Sequence, residues 1–216
     1  MRARRALLAG AVLLLGAGGA LIGRDVYLEA KRLVARRLIA QALAAHLRDG
    51  RSHRPWSWAD LSPIALLELH RLGVRRCVLT GASGTSLAFG VGHIDGTARP
   101  NAPGNCVLAG HRDGEMAFLE RVRPGDVLRL RTAAASGDYV IDGIRVVART
   151  DTAPLRAAGA DRLTLVTCYP FGGLLRSPWR YVVTAARVPR LEAPGGKKSS
   201  AVDYGSVIGS TLPIEH

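Results

Sequence analysis

Short apolar runs, each bounded by Gly, Pro, Asn or Asp, recur along the chain from residue 64 to residue 188. Their length and their Val, Leu and Ile content are typical of β-strands. Pro103-Gly104-Asn105 and Pro124-Gly125-Asp126 resemble turns that lead directly into strands. The pattern predicts an all-β barrel or sandwich with strands at residues 64–69, 76–80, 105–110, 126–131, 139–147, 162–168 and 180–188. The first of these runs also suits a short helix, and another helical piece is predicted around residues 115–121.

The N-terminal part of the chain has a different pattern. Residues 6–23 form an uncharged run of 18 residues that follows Arg2, Arg4 and Arg5, which is long enough to span a bilayer. A cleaved signal peptide is the alternative, and we favour an uncleaved transmembrane helix because the run exceeds a usual signal core. Residues 25–47 contain good helix formers with apolar residues at helical spacing, which predicts an amphipathic helix.

These patterns divide the chain into four segments. We expect a membrane anchor at residues 1–24, an amphipathic helix with a linker at residues 25–61, and the β-domain at residues 62–190. Residues 191–216 are polar and rich in Gly and Ser, which predicts a flexible tail.

The formal net charge of +13 suggests nucleic-acid binding at first sight. The arginines are spread along the whole chain, however, and no RNA- or DNA-reading motif is present. A basic surface that faces anionic lipid or a polyanionic envelope explains the charge equally well. We therefore predict no nucleic-acid partner.

The chain has three cysteines, an odd and small number that does not make a disulfide framework. No two of them have metal-ligand spacing such as C-x-x-C, so we expect no metal and no cofactor. Cys77 and Cys106 lie within predicted strands, where buried small side chains are expected. A Cys77–Cys106 disulfide, formed in an oxidising periplasm, is the alternative.

Three residues at strand ends can act together chemically. Cys168 ends the run 162–168, His111 follows the run 105–110, and Arg180 opens the last run. A cysteine is the most nucleophilic side chain near neutral pH, and a nearby histidine can exchange protons with the thiol and the leaving amine. An arginine stays charged and can stabilise an oxyanion. This combination predicts acyl transfer through a thioester, with these groups meeting at one rim of a barrel.

Other residues near these motifs are candidates for substrate binding. His93 lies in the predicted loop Gly92-His93-Ile94-Asp95-Gly96, where it would bind substrate or hold the loop by hydrogen bonds. Thr167 precedes Cys168 and would line the cleft or pack within the strand. Arg176, in a predicted loop, would reach a substrate from the rim.

The segments VLAGHRD, TLVTCYP and WRYVVTA resemble the three signature segments of sortases. The segments RPWSWADLSPIALLELHRLGV, GASGTSLAFGVGHIDGTARPNAPGN and LTLVTCYPF together resemble the class GN sortases of Gram-negative bacteria. This resemblance implies a closed β-barrel with His111 as general acid/base, Cys168 as nucleophile and Arg180 as the oxyanion or substrate-positioning arginine. It also implies cleavage of an LPXTG-like C-terminal sorting signal on a partner protein, followed by transfer of the acyl group to an amine.

Three functions follow from these patterns. The first is a sortase-type cysteine transpeptidase in the inner membrane, single-pass, with its catalytic domain in the periplasm. The second is a cysteine hydrolase of the cell envelope that uses the same dyad. The third is a non-catalytic, membrane-tethered barrel that binds peptides.

Overall fold

A computed structural model describes residues 2–156, 159–173 and 177–188; of residues 2–9 and 11–13 it describes the backbone alone. The chain divides into two units, Met1–Arg37 and Leu38–His216. This division falls inside the predicted amphipathic helix. The predicted tail at residues 191–216 lies outside the described residues.

Helix α1 (Arg2–Asp49) is continuous, although the sequence predicted two consecutive helices. Large apolar side chains of its first unit are exposed, among them Leu14, Leu15, Leu21, Ile22 and Val26. Among the described residues, no helix has the length and apolarity needed to cross a membrane. The predicted anchor at residues 6–23 includes side chains that lie outside the described residues, and it stays a prediction.

The last turns of α1 belong to the second unit and are amphipathic. Ile39, Ala42 and Leu43 are buried, at the three- and four-residue spacing that places side chains on one helix face. Ile39 packs with Leu61 and Leu79, so this end of α1 lies against the β-domain.

Eight strands form a closed barrel in the order β1-β2-β3-β4-β7-β8-β6-β5, which confirms the predicted closed β-barrel with few helices. The strands are β1 (Pro63–Leu69), β2 (Val74–Leu79), β3 (Val91–His93), β4 (Asn105–Ala109), β5 (Val127–Arg131), β6 (Ser136–Ala148), β7 (Arg162–Tyr169) and β8 (Trp179–Val188). A short helix, α2 (Gly84–Phe89), and three 3₁₀ turns connect them, at His70–Leu72, Ala117–Arg121 and Ala153–Leu155. Closure leaves the barrel without free edges.

Six of the seven predicted runs match strands within about two residues at each end, the usual uncertainty of element boundaries. The run at 139–147 lies inside the longer β6, which begins at Ser136. The run at 64–69 forms a strand rather than the alternative short helix. The helical piece expected around residues 115–121 is the 3₁₀ turn Ala117–Arg121. Helix α2 and the three-residue strand β3 were not predicted.

The core fills the barrel with alternate residues of each strand. On β7, Leu163 and Leu165 are fully buried in this core, and on β8 Val183 and Ala185 are their counterparts. Because successive side chains of a strand point to opposite faces, the residues between them lie on the outer face of the barrel.

Cys106 lies in the core, and Cys77 packs beside Ile39, Leu61 and Leu79 outside it. Both thiols are free, so the alternative of a disulfide between them is wrong. Strand β3 separates their strands in the barrel order.

Candidate active site

Strands β4, β7 and β8 bring three predicted site residues to one end of the barrel. Strands β4 and β7 are parallel, with Ala109 opposite Val166, and β8 is antiparallel to β7, with Arg180 opposite Cys168. His111 lies two residues beyond Ala109, just as Cys168 lies two residues beyond Val166. Neighbouring strands are about 5 Å apart, so His111, Cys168 and Arg180 lie in three adjacent chain segments at the same level of the barrel.

The side chains of Cys168 and Arg180 share the outer face of the barrel. On β7 the core residues Leu163 and Leu165 alternate with Thr164, Val166 and Cys168, which therefore point outward. The same alternation on β8 places Arg180 and Val182 outward. The thiol and the guanidinium group thus flank each other outside the core.

Gly110 connects the strand pairing to His111. Its backbone nitrogen donates to the carbonyl oxygen of Val166 at 3.2 Å, and its own carbonyl oxygen accepts from the Thr167 hydroxyl at 2.7 Å. A Cβ atom on Gly110 would lie 2.5 Å from Cγ of Met116, so glycine is required for this approach. Two hydrogen bonds therefore hold the residue before His111 against Val166 and Thr167, the two residues before Cys168.

His111 begins a tight turn, and its imidazole is exposed. Its carbonyl oxygen accepts from the backbone nitrogens of Gly114 at 3.2 Å and Met116 at 3.1 Å. Met116 is fully buried, so the turn is anchored in the core while the imidazole remains accessible to a substrate.

Cys168 is half-buried on the outer face and stands just before the cis peptide bond Tyr169–Pro170. Burial raises the pKa of the Cys106 thiol to about 12. Burial, and then the nearby Glu115 carboxylate, raise the pKa of the Cys77 thiol far above its usual value. Since the thiolate is the nucleophile, neither Cys77 nor Cys106 suits a reaction near neutral pH.

Arg180 is half-buried and is held by backbone carbonyls. Its Nη1 donates to the carbonyl oxygens of Trp179 at 2.9 Å and Ser177 at 3.2 Å. Among the described residues, these two oxygens are its only hydrogen-bond acceptors, and they leave the other N–H groups of the guanidinium available. These bonds orient the guanidinium, and within the part of the chain that the structure describes no carboxylate pairs with it.

A family model, described as the sortase domain, matches residues 67–188. The chain belongs to the sortase family. Sortases are cysteine transpeptidases that act on proteins bearing sorting signals. The chain is 31% identical to sortase D of Bacillus subtilis over 124 residues, which cover 57% of this chain and 63% of that relative. The chain thus spans less than two thirds of that relative's length.

Solved sortase structures share this fold. Sortase C1 of Streptococcus suis is 29% identical with a TM-score of 0.55, over 60% of this chain and 74% of that one. Sortase A of Corynebacterium diphtheriae is 26% identical with a TM-score of 0.57, over 64% of this chain and 66% of that one. A sortase D5 transpeptidase of Clostridium perfringens, 22% identical with a TM-score of 0.60, supports the fold alone; the match covers 72% of this chain and 99% of that one.

The residues predicted to bind substrate in this sortase have different surroundings. His93 ends β3, not a loop, and is buried, with Nε2 2.9 Å from the carbonyl oxygen of Ala98. Thr167 is 2% exposed and lies on the inner face, where its hydroxyl donates to the carbonyl oxygen of Gly110. Arg176 lies outside the described residues. Substrate contacts by these three residues stay predictions.

Sequence reasoning missed Arg112, which links two loops of the sortase site. Its Nη2 donates to the carbonyl oxygen of Gly173, in the connection that follows Cys168. A Cβ atom on Gly173 would lie 3.2 Å from this guanidinium, so glycine allows the approach. The sequence offers one signal for this role, because Arg112 directly follows the predicted acid/base His111.

Within the described ranges, no three His, Cys, Asp or Glu side chains gather in a way that would hold a metal ion.

Proposed function

We propose that this chain is a cysteine transpeptidase that cleaves a C-terminal LPXTG-like sorting signal and transfers the acyl group to an amine. The observation that carries the proposal is the strand register. It pairs Cys168 with Arg180 and puts His111 at the same level as Cys168 along the parallel strands β4 and β7. A nucleophile, a proton-transfer group and a cation that can donate to an oxyanion together suit acyl transfer.

In the first half-reaction the Cys168 thiolate attacks the carbonyl carbon of the Thr–Gly peptide bond. Arg180 donates hydrogen bonds to the oxyanion that forms. As the C–N bond breaks, the protonated imidazole of His111 gives its proton to the leaving amine, and a thioester on Cys168 remains.

In the second half-reaction an acceptor amine attacks the thioester carbonyl. The now neutral His111 takes a proton from this amine, and the thiolate of Cys168 leaves. The charges of the dyad return to their starting state, and a new amide bond joins the substrate protein to its acceptor.

We further propose that the enzyme is a class GN sortase of the Gram-negative inner membrane. Residues 6–23 would anchor it, with the barrel in the periplasm. The uncharged run of 18 residues supports the anchor, and the segments at residues 54–74, 81–105 and 163–171 support the class.

Mass spectrometry tests the proposed reaction directly. The full chain is incubated with peptides that contain LPXTG-like signals, with and without excess amine. We expect an acyl adduct on Cys168 and, with amine present, an amide product. Cys77→Ala is the matched control and should retain the adduct, whereas Cys168→Ala should lose it.

Three results would contradict the proposal. An adduct that persists in Cys168→Ala would exclude this nucleophile. Free acid as the sole product in excess amine would indicate a hydrolase. Peptide binding without any adduct would indicate a non-catalytic barrel.

A further inference from the structure

A cavity of about 350 Å³ lies on the outer face of the barrel, over the first residues of β4 and β7. Asn105 and Thr164 form part of its floor, and Thr184 of β8 lies opposite Thr164. The 3₁₀ turn Ala153–Leu155, in the connection between β6 and β7, contributes to its wall.

Buried hydrogen bonds shape this cavity in advance of any ligand. The Thr164 hydroxyl donates to Oδ1 of Asn105 at 2.7 Å, and both residues are at most 5% exposed. Nδ2 of Asn105 donates to the carbonyl oxygens of Pro154 at 2.9 Å and Arg156 at 3.0 Å. The wall is therefore held to the floor by a satisfied polar network.

The cavity has an excess of positive charge. Arg145, Arg156 and Arg162 line it, and Asp142 is the one carboxylate in its lining. Asp142 is already engaged, because Arg162 donates to its Oδ2 and the Thr184 hydroxyl donates to its Oδ1. The guanidinium groups of Arg145 and Arg156 therefore leave the cavity with a net positive charge that favours an anionic ligand.

Two observations indicate that this anion is not supplied by the described part of the chain. The guanidinium groups of Arg145 and Arg156 make no hydrogen bond or ion pair with any described residue. Nε of Arg162 is buried and, among the described residues, lacks a hydrogen-bond acceptor. Guanidinium groups bind carboxylates through paired N–H donors, so a carboxylate suits this site.

The cavity and Cys168 lie on the same face of the barrel, so one extended substrate can reach both. Thr164 lies on the same outer face as Cys168 and four residues before it on β7, or about 13 Å away along the strand. Val166 and Val182 form the floor between them. An extended polypeptide that lies along this face has the same rise per residue, so a residue four to six positions from the attacked bond reaches the cavity.

We propose that this cavity binds a carboxylate side chain of the polypeptide substrate, four to six residues from the peptide bond that Cys168 attacks. The inference rests on the proposed function for its substrate class, and it adds a specificity determinant for acidic residues outside the sorting signal itself.

A peptide scan tests the inference. Peptides with an LPXTG-like core carry a single Glu, or a matched Gln, at each position from three to seven residues on either side of the cleaved bond. We expect one Glu peptide to exceed its Gln partner in kcat/KM by about fivefold, mainly through KM, because the arginines are partly exposed. The side of the responding position gives the direction of the bound chain.

Charge substitutions separate recognition from a structural role. Arg145→Gln together with Arg156→Gln should abolish the preference for Glu, whereas Arg121→Gln, an exposed arginine of the 3₁₀ turn at Ala117–Arg121, should leave it unchanged. Arg145→Glu should transfer the preference to a peptide with Lys at the same position. A general loss of stability would not produce that reversal.

Binding without turnover keeps the inference separable from the proposed function. Fluorescence anisotropy on Cys168→Ala measures the Glu and Gln peptides directly. A Glu preference in binding with no acyl adduct in the unsubstituted chain supports the cavity and contradicts the transpeptidase. If the acyl adduct forms but the Glu and Gln peptides have equal kcat/KM and equal affinity at every position, the carboxylate site is contradicted and the transpeptidase is not. A preference that survives the double arginine substitution also overturns the carboxylate site.

Discussion

The inner and outer faces of β4, β7 and β8 differ in what their side chains do. The inner face is mainly apolar apart from Thr167, and Leu108, Leu163 and Leu165 are fully buried there. The outer face of the same strands carries Thr164, Cys168 and Arg180.

Cys106 and Cys168 illustrate the difference, since they lie on adjacent strands and opposite faces. A strand that alternates strictly can thus place a chemically inert core next to a reactive surface. Burial of the thiol, which raises its pKa at both Cys77 and Cys106, is what separates these cysteines from Cys168.

Thiol labelling should give the largest contrast between the two faces. A thiol with a pKa of about 12 is thiolate in about one molecule in ten thousand at pH 8. Iodoacetamide at pH 8 should therefore modify Cys168 at least about a thousandfold faster than Cys106, as measured by peptide mass spectrometry. Denatured protein is the control, in which the rates should converge. Equal rates in the folded protein would refute the contrast.

The same burial has a consequence for stability with a defined sign. The folded pKa of Cys106 lies above the unfolded value of about 8.5. The stabilisation linked to this thiol is therefore complete at lower pH and is lost as the pH rises towards about 12.

Arg180→Gln should reduce kcat/KM by about a hundredfold, because a charged donor to the oxyanion is removed. The melting temperature should change little, since the guanidinium bonds only to backbone carbonyls among the described residues. Steady-state kinetics and thermal melting measure the two effects, with Arg121→Gln as the control. A large loss of stability with an equal loss of activity would make Arg180 structural.

Asn105→Ala should act mainly on stability, unlike Arg180→Gln. It should lower the free energy of unfolding by about 2 kcal/mol, because buried polar partners lose their hydrogen bonds. Thr164→Val should cost about 1 kcal/mol. The double variant should cost less than the sum, since the two side chains share a bond of 2.7 Å. Urea denaturation of the four proteins provides this cycle, and strict additivity would exclude the coupling.

Gly110→Ala should have the smallest effect, a loss of about tenfold in kcat/KM. The added Cβ atom would meet Cγ of Met116 at 2.5 Å and displace the segment that positions His111. Met116→Ala removes that atom, so the double variant should recover activity relative to Gly110→Ala. Unchanged kinetics in Gly110→Ala would show that this contact does not position the histidine.

Much of the barrel was predictable because its strands are long enough to show apolar runs. Strand β3 was not, because it has three residues, one of which is Gly92. The convergence of His111, Cys168 and Arg180 was predicted from their places at strand ends, yet the parallel pairing of β4 with β7 was not visible in the sequence.

The surroundings of Thr167 and the arginine-lined cavity depend on strand alternation and register, which a sequence does not display. Thr167 was expected to line the cleft or to pack within the strand; the alternation that starts from Leu163 and Leu165 places its side chain on the inner face, and its substrate contact stays a prediction. The arginine-lined cavity was missed because Asn105, Asp142 and Arg162 are far apart in the chain and meet only through the register.

The parallel pairing of β4 with β7 has a consequence for how the candidate site forms. Gly110 and Thr167, which bond across this pair, are separated by 57 positions, so a long loop must close before His111 meets Cys168. Arg180 lies still later, on the last strand of the barrel. Such non-local pairing slows folding. In the proposed mechanism Cys168 therefore gains His111 and Arg180 only when the barrel closes, and we expect an incompletely folded chain to be inactive.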